Sequence, residues 1–133
     1  MVNRILIRIK VLQIVYAYYQ NGNGNLQSAE NDLQFSLKKS YELYLSFLLL
    51  LIEVTHLQSQ IIETKKEKYI PTQEELNPNM RFVNNRVIAQ LAADKGFWQL
   101  IKENGISWDN DEDFVKRVLE LILSSDLYAE YLE

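Results

Sequence analysis

From Leu26 to Tyr69 the chain runs without a single glycine or proline, and Pro71 is the first residue that forces a stop. Along that stretch Leu33, Leu37, Tyr41, Tyr44, Leu48, Leu51 and Thr55 recur at the helical period, and Leu57, Ile61 and Ile62 extend it. The spacing predicts a helix over Leu26–Tyr69, either continuous or broken by a kink. With only 4 Gly and 2 Pro in 133 residues, the many turns of a sandwich or barrel are not affordable. No segment alternates at the strand period. The fold class read from this is all-α, a helical bundle with long central helices, spanning 1–133 as a single domain.

Other helices follow from caps and breakers. Asn3 can cap a first helix over Arg4–Gln20, and the segment Asn21-Gly-Asn-Gly-Asn25 is the clearest loop. Apolar side chains nearly encircle that first helix. Ile5, Ile9, Leu12, Tyr16 and Tyr19 form one heptad-like stripe, and Ile7, Val11, Ile14 and Tyr18 cover much of the rest. Such a helix is either central in a bundle or covered by a partner. Lys65 to Lys68 reads as a solvated helix end, and Tyr69 to Asn79 as an exposed connection or short helical turn. A third helix is expected over Arg81–Asp94 and a fourth over Phe97–Asn104, ending at Gly105. The capping-box spacing of Asp109 and Glu112 would open another from Asn110 to Leu123. Ser124 or Ser125 could cap a last turn through Tyr131. Leu127, Tyr128, Tyr131 and Leu132 then need cover, by docking back on the bundle or by chain continuing beyond Glu133.

Chemistry is sparse. There is no cysteine and a single histidine, His56, with no second histidine or clustered carboxylate at metal-ligand spacing. The run Asp109, Asp111, Glu112, Asp113 lacks the glycine and bidentate glutamate of a calcium loop and reads as a negatively charged helix start. No glycine-rich phosphate loop follows a strand. No catalytic residue, metal ligand or cofactor is expected. Phe97, Trp98 and Trp108 read as core. Leu43 to Val54 falls short of a membrane span, and no targeting signal opens the chain, so no membrane partner is expected and the cytoplasm is the expected location.

The net charge of −4 is unevenly placed. Residues 1–20 carry Arg4, Arg8 and Lys10 without an acid, whereas residues 82–133 carry twice as many acids as bases. Arg4 and Arg8 lie one turn apart on a common face, and Lys10 points elsewhere. Exposed tyrosine beside arginine suits single-stranded RNA, since bases stack on the ring while guanidinium groups hold phosphate. A tyrosine that buries its ring and wets its hydroxyl is the simpler account of the same residues.

The stretch Arg4-Ile-Leu-Ile-Arg8-Ile-Lys-Val-Leu-Gln13-Ile-Val-Tyr16 resembles the opening helix of the NusB transcription antitermination proteins. Their motif is an arginine-rich start followed by Gln, two apolar positions and Tyr. Arg8, Gln13 and Tyr16 match it, and Arg4 lies in the arginine-rich start. The family's C-terminal signature is absent from the C-terminus, so the chain is expected to be either the N-terminal part of an extended member or a divergent relative. It implies an all-helical, non-catalytic adaptor that binds boxA-like single-stranded RNA with the ribosomal protein NusE, within the RNA polymerase antitermination complex, during ribosomal RNA synthesis. By position Arg4 and Arg8 would contact phosphate, Lys10 would add charge, and Gln13 and Tyr16 would serve RNA contact or core packing. Two other readings stay open: the RNA-targeting domain of an rRNA methyltransferase, and a helical module that binds protein alone.

Overall fold

A computed structural model describes residues 3–22 and 24–133; Met1, Val2 and the loop residue Asn23 lie outside the described residues. Every regular element among those described is a helix. In order they are α1 (Arg4–Gln20), α2 (Leu26–Lys66), α3 (Gln73–Leu76), α4 (Arg86–Ala93), α5 (Lys95–Glu103), α6 (Glu112–Leu123) and α7 (Asp126–Leu132). They group into two compact units, Met1–Leu45 and Ser46–Glu133, whose boundary falls inside α2.

In the first unit α1 begins at Asn3, whose side chain accepts from the Leu6 N–H at 2.8 Å. It ends at Asn21, followed by Gly22 at φ 57, a left-handed position that glycine adopts without strain. The Gln27 N–H donates to the Asn25 side chain at 3.0 Å, which sets the start of α2. α1 and the first turns of α2 face each other as an antiparallel hairpin. Ile14, Ala17 and Tyr18 line one cleft together with Gly24, Asn25, Ser28, Ala29 and Asp32.

α2 is one helix of 41 residues without a break, the continuous of the two alternatives. By length and composition alone it could cross a membrane, but a third of its most apolar window is buried within the protein. In the second unit Leu50 and Val54 of α2 form a buried cluster with Val115 and Leu119 of α6, ringed by Leu57, Ile61, Phe82, Trp108, Val118 and Ile122. Thr55 of α2 is buried as well, its hydroxyl donating to the Leu51 carbonyl at 2.8 Å. Trp108 ties the loop before α6 to α2: its indole N–H donates to the Ser46 carbonyl at 2.9 Å, and its ring stacks on Phe114.

Several boundaries differ from the sequence expectation. The helix expected from Arg81 starts only at Arg86, because Asn85 caps it, accepting from the Val87 and Ile88 N–H groups; residues 81–84 form a turn. Asp94, not Gly96, separates α4 from α5, and it is both the last cap of one and the first cap of the other. α6 starts at Glu112 with Asp111 as its cap position, and Asp109 lies in the preceding turn instead of closing a capping box. A capping box does form elsewhere, between Thr72 and Glu75 at α3. Gly105, at φ 61, ends α5 as expected, with Gly105 N–H donating to Lys102 and Ile106 N–H to Ile101.

Of the apolar C-terminal residues, Tyr128, Tyr131 and Leu132 dock back on the second unit, whereas Leu127 stays 77% exposed. Ser125 caps α7, Tyr128 meets Phe82 edge to face, and the Asn85 side chain donates to the Tyr131 hydroxyl at 3.0 Å. Arg81 lies over the Tyr131 ring, and Asn79 donates to the Leu132 carbonyl.

Candidate nucleic-acid interface

α1 carries every residue singled out for RNA contact. None of its residues is buried, which rules out the central bundle position that its composition allowed. The half-buried positions are Leu6, Lys10, Ile14 and Tyr18, one per turn, on the side that faces α2. At about 100° per residue, the heptad stripe Ile5, Ile9, Leu12, Tyr16 and Tyr19 lies on the opposite side, open to solvent.

Arg4 and Arg8 are exposed and flank one edge of that stripe; Gln13 is exposed at the other edge. Tyr16 sits within the stripe, 66% exposed, and its hydroxyl accepts from the Gln20 amide at 3.2 Å. Core packing of Gln13 and Tyr16 within this unit is therefore not what the structure shows. Lys10 is half-buried on the α2 side, so Arg4, Arg8 and Tyr16 come together on one side and Lys10 does not join them.

The electrostatics favour an anion. α1 has no acid in its first turn, and Arg4 is its first residue, at the positive end of the helix dipole. The Leu6 and Ile7 N–H groups are held by the Asn3 side chain and carbonyl. Among the described residues, the Arg4 and Ile5 N–H groups have no such partner, and Arg4, Arg8 and Lys10 enter no salt bridge. Two guanidinium groups and two free N–H groups at one helix end suit a phosphate.

One surface escaped the sequence reading. Val11, Val15 and Tyr19 of α1 and Leu26, Ala29 and Leu33 of α2 line an apolar groove, with Glu30 at its rim. The near-continuous apolar composition of α1 announces such a groove, but a helix apolar all round carries no periodicity to say which side is open.

Elsewhere, His56 is exposed in a cleft with Glu53, Gln60, Trp108, Asp109, Glu112 and Lys116. No group of three or more metal-ligating side chains occurs among the described residues. Phe97 is buried, Trp108 is half-buried and Trp98 is 40% exposed, its indole N–H donating to the Ala92 carbonyl. No protein-family model matches the chain, and neither does any curated protein or solved structure.

Proposed function

We propose that the chain is a NusB-like antitermination adaptor, a non-catalytic RNA-binding helical protein of the cytoplasm. It would act with NusE on boxA-like single-stranded RNA within the RNA polymerase antitermination complex. The observation that carries this reading is charge segregation: an acid-free α1 with Arg4 and Arg8 exposed at its N-terminal end, on a chain of net charge −4. The resemblance of Arg4 to Tyr16 to the NusB opening helix supplies the identity of the RNA. Tyr16 offers a stacking face beside the two guanidinium groups.

Arg4 and Arg8 neutralising two phosphates give a log–log salt slope of about −1.4, from ~0.7 per phosphate on single strands. That is weak binding alone. The open apolar side of α1 favours a protein partner that adds surface, which also keeps the pure protein-interaction reading in play.

The test is fluorescence anisotropy of a labelled boxA-like RNA, with and without NusE, at two salt concentrations. The expected result is salt-sensitive binding, strengthened by NusE and lost in the Arg4→Ala/Arg8→Ala double variant. Binding unchanged in that variant removes α1 as the RNA surface. Absence of binding under every condition leaves the protein-interaction module.

A further inference from the structure

The stripe Ile5, Ile9, Leu12, Tyr16 and Tyr19 has the alternating spacing of four and three that defines a coiled-coil seam. In the first unit all of it but Tyr19 faces away from α2, and its five side chains are between 48% and 77% exposed. It continues at Tyr19 into the apolar groove lined by Val11, Val15, Leu26 and Leu33. Isolated exposed apolar residues need no explanation, but a continuous stripe of large ones along a helix of 17 residues does.

We propose that the stripe is a self-association surface, and that two copies of this chain pair through α1 in antiparallel orientation. Two observations select a second copy. The first is charge. Arg4 and Arg8 flank the stripe at one end of α1, no residue of α1 after Lys10 is ionised, and Glu30 lies by the groove at the loop end of the hairpin. A twofold antiparallel pair sets the basic end of each hairpin beside the acidic loop end of the other. A parallel pair would crowd four guanidinium groups together. A surface that is complementary to itself when turned end for end is what a twofold dimer requires.

The second is area. A stable interface takes on the order of 800 Å² from each partner. Five large apolar side chains left roughly half or more open, with Val15 and Leu26 beside them, offer surface of that order.

The register follows from the stripe. With Leu12 of each copy at the twofold axis, Ile5 faces Tyr19 across the seam, and Arg8 falls beside Tyr16, where a guanidinium group can lie over the ring. Tyr16 would then be shared between the second copy and RNA, so the two would compete. The pairing itself does not depend on the RNA reading.

Analytical ultracentrifugation of the full chain at rising concentration tests the proposal. A reversible monomer–dimer equilibrium is expected, abolished in Leu12→Glu because two carboxylates would meet on the axis. Orientation is read by disulfide crosslinking, which is clean because the chain has no cysteine of its own. Leu12→Cys should crosslink to itself on oxidation. Tyr19→Cys should not, since the two sites would lie ~20 Å apart at 1.5 Å per residue, but it should crosslink to Ile5→Cys. A chain that sediments as a monomer at high micromolar concentration overturns the proposal. So does a dimer indifferent to Leu12→Glu, or one in which Tyr19→Cys pairs with itself. If Leu12→Glu loses helix content, the cysteine pattern in the otherwise unaltered chain decides alone.

Discussion

Gln58 carries an amide oxygen enclosed by protein without a hydrogen-bond donor. It belongs to the stretch of α2 beside the groove formed with Thr72, Pro78, Asn79 and Tyr128. An enclosed acceptor with no donor costs about 1–3 kcal/mol. Gln58→Met keeps the length and drops the polar atom, so it should leave stability unchanged or raise it by about 1 kcal/mol in urea unfolding. A loss larger than that would reveal a donor, such as a bound water. Glu75 makes the opposite case. Hydrogen bonds from Lys68 and from the Thr72 N–H hold its carboxyl below the usual 4.5, despite a small opposing cost of burial. A carboxyl whose folded pKa is lowered adds stability above the unfolded value and loses it as pH falls through the folded one. The α3 turn should therefore be intact at neutral pH and loosen only below the usual carboxylate range. A proton-resolved titration of the Thr72 N–H shift, with a midpoint at or above 4.5, would contradict this.

At the scale of elements, the strongest periodicities, the Gly105 stop and the Ser125 cap of α7 were read correctly, whereas the starts of α4, α5 and α6 were not. α1 and α2 are legible because long apolar patterns run between hard breakers, Asn3 and the Asn-Gly loop for one and Pro71 for the other. α4 and α6 start later than expected because two asparagine or aspartate positions compete at each start. At α4, Asn85 wins by reaching two N–H groups at once, at 3.0 and 3.2 Å. Gly96 attracted the boundary that Asp94 actually sets, since a side-chain bond of 2.7 Å to the Phe97 N–H outweighs a glycine's helix penalty. The α2–α6 core is the most sensitive element contact. Leu119 is 2% exposed within it, so Leu119→Ala should cost about 2–5 kcal/mol by the usual cost of such a cavity. Phe114, stacked on Trp108 but half open to solvent, should tolerate Phe114→Leu far better in the same urea series.

For the whole molecule, the candidate site was legible as residues but not as a surface. Sequence separates Arg4 and Arg8 from Lys10 by helical angle, and the structure keeps that separation. It cannot tell which side of an almost wholly apolar helix faces α2, because every side offers similar burial. The division into units carries a further consequence. Domains are commonly joined by an exposed linker, which is where a protease first enters. Here the boundary lies between Leu45 and Ser46, inside the continuous hydrogen-bond ladder of α2, where Leu45, Leu49 and Leu50 are buried. A protease needs an exposed, extended segment to enter its active site, and a helix does not give one up without unfolding. Limited digestion should cut instead within residues 67–72 or at the turn of residues 77–85, and no pair of fragments meeting near residue 45 should accumulate. The two units are distinct in packing, yet the peptide bonds at their boundary are held inside a helix.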